Sequence, residues 1–240
     1  MFFFLSALIV ARASPVIQEE RSQIVDVRVS DWDDSFAEVQ RWSRDASGQW
    51  QRVGAAIPAR IGRAGAAWGR GLHPAVPEGP QKVEGDGRAP AGVFSIGDAF
   101  GDALLIPAPR WPMRRVGPRD LWIEDASHPD YNRHKVVEGE QPLTAWEQSQ
   151  RMRLGDAAHR LKIAVDHNAP PAIVAGAGSA IFVHIWRREG AAPTAGCTAM
   201  PAAAVEALIR WLDPDAAPLL VLLPDDVYAR VQDAWGLPPR

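Results

Sequence analysis

The stretch AIFVHIWRREGAAPTAGCTAMP, residues 180–201, decides how the rest of the chain is interpreted. It opens with an apolar run that carries His184 and ends in a turn around Cys197, the only cysteine in the chain. Alternation along the run predicts a strand with Phe182, His184 and Trp186 on one face. Gly196, directly before the cysteine, is typical of a turn. The pattern therefore predicts a strand, a loop and a tight turn that bring an imidazole near a thiol.

A thiol and an imidazole together can carry out nucleophilic acyl transfer. The thiolate of Cys197 is the nucleophile, and His184 can accept the thiol proton and hold the thiolate as an ion pair. Gly196 lets the backbone approach a substrate closely, and backbone N–H groups at such a turn can stabilise an oxyanion. The alternative is structural, because free cysteine is commonly a small buried hydrophobe and a histidine in an apolar strand is commonly a core residue. Residue types alone leave both interpretations open.

Several sequence blocks resemble one known family. The block H-I-W-R…P-T-A-G-C-T-A-M resembles the active-site signature of the YkuD-type L,D-transpeptidases, in which a histidine on a strand precedes a [Ser/Thr]-x-Gly-Cys turn. Residues 82–94, KVEGDGRAPAGVF, are similar to that family's K-x-G-D-G-x-x-P-x-G-x-F segment. Tyr131-Asn132 and residues 166–168, Asp-His-Asn, are similar to its short YN and xxN signatures. The resemblance covers most of the chain.

The resemblance implies a role for four residues of the cysteine block. Cys197 matches the nucleophile and His184 the base, while Thr194 and Gly196 match the hydroxyl and glycine positions on the substrate and oxyanion side of the motif. The implied activity is transfer of peptidoglycan stem peptides through a cysteine thioester, which a second amine resolves into an L,D crosslink. That chemistry requires no metal and no organic cofactor.

Two positions depart from the family pattern. Ala195 stands where many members have histidine, and Ala199 stands where many have arginine. Without that charged donor beside the nucleophile, the sequence does not decide which acyl acceptor is used. It also does not decide whether the thioester is resolved by transfer or by hydrolysis. The alternative within the same site is a hydrolase, either an L,D-carboxypeptidase or a peptidoglycan amidase. A further alternative, from a different class, is a non-catalytic wall-binding module.

Short apolar runs separated by Gly/Pro turns predict a mainly β fold with a few short helices. The resemblance implies a β-rich sandwich or capped barrel with a helix after the cysteine turn. We predict a half-buried strand over residues 24–29, with Asp26 and Arg28 on its polar face. Two hairpins are predicted, the first joining residues 36–42 to 50–53 and the second joining 173–175 to 180–186. Further predicted elements are a turn at 85–92, strands at 93–96, 121–124, 161–165 and 219–223, a helix that begins at Pro201 and a last helix capped by Asp225.

The N-terminus predicts export. Residues 2–10 form an apolar run that is followed by Ala11-Arg12-Ala13, an A-x-A cleavage pattern, so we expect a signal peptide over residues 1–13. A linker at 14–22 and a single catalytic domain at 23–240 follow from this division. The expected location is the periplasm or cell envelope. The apolar run is too short to span a bilayer as a helix, and no other segment approaches that length.

Net charge and the positions of the histidines argue against nucleic-acid binding and a metal site. A net charge of −3 and a pI near 6.1 give no basic footprint for nucleic acid. Two histidines and an aspartate occur within residues 128–134, but a proline between them breaks the spacing of a zinc site, so we expect no metal there. Four histidines lie in polar loops or helical segments and are not expected to take part in the chemistry: His73, His128, His134 and His159.

Overall fold

The computed structural model of the protein describes residues 15–101, 106, 109–152, 155 and 157–240. The expected signal peptide lies outside these residues. The described chain is mainly β-structure with three helices, as the sequence predicts. Its strands are β1 (Gln23–Val29), β2 (Phe36–Arg44), β3 (Trp50–Arg60), β4 (Ala66–Trp68), β5 (Ala89–Gly101), β6 (Met113–Arg115), β7 (Asp120–Trp122), β8 (His134–Val136), β9 (Leu161–Val165), β10 (Phe182–Ile185), β11 (Thr198–Met200) and β12 (Leu219–Pro224). Its helices are α1 (Ala145–Ser149), α2 (Ala202–Trp211) and α3 (Asp225–Trp235).

Eight strands close on themselves in the order β12-β1-β2-β3-β11-β10-β9-β5, because β5 also pairs with β12. The short strands β4 and β6 each pair in parallel with β5, and β7 forms a separate two-stranded sheet with β8. A closed ring has no open edge on which another chain could pair. The architecture is therefore the barrel form of the predicted β-rich fold.

The long strand β5 closes the ring by serving two neighbours. Its first half, from Gly92 to Ser95, pairs with β12, and its second half, from Ile96 to Gly101, pairs with β9. A register shift between Ile96 and Ala99 marks the change of partner. Such an irregularity bends and twists a strand, which lets it leave one neighbour for another. The predicted strand at 93–96 is only the centre of this element.

The prediction of a half-buried β1 is wrong. Asp26 is fully buried, because Arg240 covers it with an ion pair of 2.7 Å. Arg28 lies beside Asp225 at the start of α3, with 3.7 Å between the charged groups. Burial raises the pKa of Asp26, although the bonds from Arg240 oppose that shift. Alternating residue types do not reveal that a distant charged side chain covers the polar face.

The first predicted hairpin is confirmed, and the second is wrong. Strands β2 and β3 pair antiparallel across the turn. Residues 173–175 form no strand, and β10 instead pairs antiparallel with β9 and parallel with β11. The loop between β9 and β10 is held by side-chain hydrogen bonds, described below, rather than by a β-ladder. A loop held by side-chain hydrogen bonds therefore stands where a hairpin turn was predicted.

Helix α2 follows the cysteine strand, as predicted. It begins at Ala202, one residue after the predicted start, because Pro201 holds the cap position, and Val205, Leu208 and Ile209 are buried at helical spacing. The last helix is also present, but Asp225 is its first residue rather than its cap, since Pro224 holds the cap position without a side-chain bond.

One large apolar core fills the barrel and the space beneath the helices, and it includes Ile24, Val27, Phe94, Ile163 and Val221. The segment expected to be a linker also packs here, because Ile17 is buried and its N–H donates to the carbonyl of Trp235 at 2.9 Å. Among the described helices, none has the length and apolar character needed to cross a membrane.

Candidate active site

Neighbouring parallel strands bring Cys197 and His184 together. In the pairing of β10 with β11, His184 lies opposite Ala199 and Val183 lies opposite Thr198. Continuing this register by one residue places Cys197 beside Phe182, on the face that also carries His184. The thiol and the imidazole line one cavity of about 390 Å³. Phe182 and His184 of the predicted face line this cavity, whereas Trp186 lies beyond the end of β10 and does not.

The turn before Cys197 is organised by Thr194. Its hydroxyl donates to the carbonyl of Cys197 at 2.6 Å and accepts the N–H of Gly196 at 3.0 Å. Its backbone N–H donates to the carbonyl of Ile61, and its own carbonyl accepts the N–H of Arg63, both at 2.9 Å. The two side-chain bonds close the turn on itself, and the two backbone bonds join it to the segment that directly follows β3. Thr194 thus shapes the cysteine turn from within.

Gly196 is required at its position by space. A Cβ there would lie 2.9 Å from the backbone oxygen of Arg88 and 3.3 Å from a methyl carbon of Ile181. Its N–H is already bonded to Thr194 and is therefore not available to an oxyanion. The backbone N–H of Cys197, by contrast, has no acceptor within the described part of the chain.

The sulfur of Cys197 lies between a backbone group at the start of β10 and one in the loop that precedes β10. The N–H of Phe182 donates to it at 3.4 Å, and the thiol is 3.5 Å from the carbonyl oxygen of Ala180. Burial in a small apolar cluster that includes Phe182 and Phe100 raises the pKa of the thiol to about 11. The N–H of Phe182 and the charge of Lys162 lower the pKa by less. Cys197 is therefore a neutral thiol in the resting protein.

His184 is also neutral at rest. It is buried, and burial lowers its pKa to about 4, with the charges of His159 and Arg187 acting in the same direction. Its Nδ1 lies 2.8 Å from the carbonyl oxygen of Ile185. Because a carbonyl only accepts, Nδ1 carries the proton and Nε2 keeps its lone pair. His184 thus has the tautomer of a base.

The expected thiolate–imidazolium ion pair is absent from the resting site. Desolvation favours the neutral form of both groups, which raises the thiol pKa and lowers the imidazole pKa. No hydrogen bond joins the side chains of Cys197 and His184 among the described residues. Catalytic hydrogen bonds are often long before substrate binds, so proton transfer is left to the moment of attack.

Sequence reasoning missed two basic residues that contact this pair. Lys162 lies opposite His184 across β9 and β10 and is 2% exposed. Its Nζ donates to the carbonyl of Met152 at 2.6 Å and lies 5.1 Å from the ring centre of Phe182. The ring of His159 stacks on that of His184, with centres 5.2 Å apart. A lysine inside the otherwise apolar strand LKIAV could have indicated a buried functional cation. Nothing in the sequence around His159 connects that residue with the site.

The YN signature supports the loop beside the thiol. The side-chain oxygen of Asn132 accepts the N–H of Ala180 at 3.1 Å and the indole N–H of Trp122 at 2.9 Å. Its amide nitrogen donates to the carbonyls of His167 and Asn168 at 3.0 and 2.9 Å. Asn132 therefore fixes Ala180, whose carbonyl faces the sulfur.

The xxN signature holds the rest of the same loop. Asn168 donates to the carbonyls of Val174 and Gly178 and accepts the N–H of Val174, at 2.8 to 3.0 Å. His167 accepts the N–H of Arg70 through Nδ1 at 3.1 Å, and its Nε2 lies 3.0 Å from the carbonyl oxygen of Ala177. Burial lowers the pKa of His167 to about 4. These contacts give His167 a supporting position behind the loop.

The turn predicted at residues 85–92 is present only up to Arg88, because β5 already begins at Ala89. Asp86 accepts from the Lys82 ammonium at 2.6 Å and from the N–H groups of Val83 and Arg88 at 3.0 and 2.8 Å. Burial opposes ionisation of Asp86, but these donors hold its pKa below its usual value. Lys82 and Glu84 line the cavity from this turn.

The histidines considered for zinc have separate partners. The ring of His128 stacks on Trp146, with centres 4.8 Å apart, and His134 is bonded to Asp120 at 2.7 Å. Among the residues that the structure describes, no group of three or more His, Cys, Asp or Glu is arranged to hold a metal ion.

Comparison with protein-family models matches residues 50–221 to the family described as the L,D-transpeptidase catalytic domain, YkuD. The match spans β3 to Val221 of β12 and contains both Cys197 and His184. Comparisons with curated proteins and with solved structures gave no match.

Proposed function

The chain belongs to the L,D-transpeptidase catalytic-domain family, YkuD, and from this premise we propose that it transfers acyl groups of peptidoglycan stem peptides through a thioester on Cys197. The observation that carries the proposal is that Cys197 and His184 lie on one face of neighbouring strands and line one cavity. Family membership supports the substrate class, and the thiol and imidazole supply the chemistry.

Acylation begins from the neutral pair. As the sulfur of Cys197 attacks the carbonyl of an L-centre that precedes a D-residue, the thiol proton passes to Nε2 of His184. The carbonyl of Ile185 stabilises the imidazolium that forms, because it accepts from Nδ1–H at 2.8 Å. Collapse of the tetrahedral intermediate breaks the carbon–nitrogen bond, and the imidazolium gives its proton to the leaving amine.

The oxyanion of the tetrahedral intermediate needs a donor close to the sulfur. We assign this role to the backbone N–H of Cys197, which has no acceptor among the described residues. Gly196 contributes by its lack of a side chain, and Thr194 by fixing the turn so that the Cys197 N–H is preorganised. Preorganised donors stabilise developing charge without reorganisation at the moment of reaction.

The thioester is resolved in one of two ways. A second amine attacks the thioester carbonyl and forms the L,D crosslink, with its proton passing through His184 back to the sulfur. Water in the same position would give an L,D-carboxypeptidase or amidase. Both outcomes use the same acyl-enzyme, and the incoming nucleophile decides between them.

Incubation with disaccharide-tetrapeptide muropeptides, followed by mass spectrometry, tests the proposal. The expected products are crosslinked dimers and a released C-terminal residue, and both disappear in Cys197→Ala. Released residue without dimers would establish the hydrolase. Wall binding with no turnover, and no change after alkylation by iodoacetamide, would establish the binding module instead.

We further propose that residues 23–240 act as one exported catalytic unit in the periplasm or cell envelope. The pairing of β1 with β12 joins the two ends of this range, from Ile24 opposite Leu219 to Val29 opposite Pro224. A peptidoglycan substrate requires a location outside the cytoplasm. N-terminal sequencing of the protein from cell envelopes should begin near Ser14, and an intact Met1 on cytosolic protein would contradict export.

A further inference from the structure

One arginine in the cavity wall differs from the other arginines that have buried, unbonded nitrogen atoms. In the described ranges, the side-chain Nε atoms of five arginines are buried without a hydrogen-bond partner: Arg28, Arg41, Arg44, Arg60 and Arg151. The first lies beside Asp225, and the next three have guanidinium groups over the rings of Trp211, Trp50 and Phe36. Within the part of the chain that the structure describes, the side chain of Arg151 has neither an acceptor nor a ring.

The backbone around Arg151 is fixed. The N–H of Trp122 donates to the carbonyl of Gln150, and the N–H of Met152 donates to the carbonyl of Asp120, both at 2.9 Å. Arg151 itself is the bridge partner of Leu121, a buried residue of β7. Because the backbone of Arg151 is already held at the cavity wall, a ligand has to order only the side chain when it binds.

The charge of the cavity favours an anion. Among the described residues, five Lys or Arg side chains and two glutamates line the cavity, whereas the whole chain carries a net charge of −3. Lys82 is bonded to Asp86, and Glu84 accepts from Ser179 and Tyr131. Arg151 is therefore a cation at the wall of the substrate cavity, and its guanidinium can donate hydrogen bonds to an anionic ligand.

We propose that Arg151 binds the C-terminal carboxylate of the peptide substrate, an inference that rests on the proposed function. A guanidinium matches a carboxylate with two parallel N–H···O bonds. A cavity of about 390 Å³ holds only a short part of a peptide around Cys197, and the C-terminal carboxylate is one residue from the scissile carbonyl when the leaving residue is the last. Arg151 is thus a specificity-determining residue for the leaving end of the substrate.

The test measures binding apart from turnover. Two synthetic stem tetrapeptides, identical except for a free C-terminal acid or a C-terminal amide, are titrated calorimetrically into the Cys197→Ala protein. The acid should bind about 10- to 100-fold more tightly than the amide, the range expected for hydrogen bonds between charged groups. Adding Arg151→Gln should bring the two affinities together, because it weakens binding of the acid peptide only.

Two further variants bound the result. Arg230→Gln removes the same charge from an exposed position on α3, where Arg230 lies 3.4 Å from Asp226, and should leave the ratio unchanged. Arg151→Lys keeps the charge but loses the planar fork, so its ratio should be intermediate, and it serves if Arg151→Gln fails to fold. A ratio that survives both Arg151 variants, or an acid peptide that does not bind, overturns the proposal. Turnover of the amidated peptide by the unmodified protein, lost in Cys197→Ala, would show separately that the proposed function stands.

Discussion

Alkylation of Cys197 by iodoacetamide should depend steeply on pH. The reactive form is the thiolate, and burial raises the pKa of Cys197 to about 11. At pH 7 the thiolate fraction is then roughly 10⁻⁴, and at pH 9 roughly 10⁻². The expected alkylation rate rises about tenfold per pH unit across this interval. At pH 7 it should be about 300-fold slower than that of an unperturbed thiol with a pKa near 8.5.

The physical reason is the charge state of the pair. Because burial holds the pKa of His184 at about 4, the imidazole cannot remain protonated beside the sulfur at neutral pH. An ion pair would instead keep the sulfur ionised between the two pKa values and give a flat rate over several pH units.

Intact-protein mass spectrometry at timed intervals measures the rate, with Cys197→Ala as the unlabelled control and a small free thiol as the reference. A rate that is constant between pH 6 and pH 8 would refute the neutral resting pair. Such a plateau would mean that the sulfur is more hydrated, or closer to a cation, than its contacts with Phe182 and Ala180 indicate.

Three further outcomes are expected. Cys197→Ala should abolish product formation in the muropeptide assay while changing the free energy of unfolding by no more than about 1–2 kcal/mol, measured by urea titration; residual product would exclude covalent catalysis at this residue. Thr194→Ala should cost about 1–3 kcal/mol, because the buried N–H of Gly196 loses its acceptor, and should slow turnover at least tenfold, whereas Thr194→Ser should retain both properties. Because the pKa of His167 is about 4 in the fold and about 6.5 when unfolded, the unfolded state binds more protons between these values, and stability should fall as pH falls from 6.5 to 4. His167→Gln should show a smaller loss than the unmodified protein in parallel urea titrations at pH 7 and pH 4.5, and identical losses would assign the pH effect to other groups.

Local pattern was sufficient for several elements. Alternation identified β10 and the face that carries Phe182 and His184, because a strand has a side-chain period of two whatever its neighbours are. Helical spacing likewise identified α2, whose apolar residues are those buried beneath it. The glycines and Asp86 of the 82–94 block identified a turn, since glycine tolerates the positive φ of 75° at Gly85 and 72° at Gly87.

The same local patterns could not predict which strands lie next to one another. An alternating strand does not state which strand lies beside it, so the pairing of β10 with β9 and β11, and the closure of β5 on β12, came only from the structure. The burial of Asp26 had the same origin, because its covering partner, Arg240, is 214 residues away in the sequence.

The sequence by itself determined the residue types of the candidate site: one cysteine in a Thr-x-Gly-Cys turn, one histidine on the preceding strand, and no second thiol. Tertiary structure decided the charge states of these residues and which other side chains surround them. Desolvation depends on atoms that arrive from β9, β10 and the loop between them, so neither the raised pKa of Cys197 nor the lowered pKa of His184 is written in local sequence. For the same reason Lys162, His159 and Arg151 become part of the site only when the barrel places their segments around one cavity.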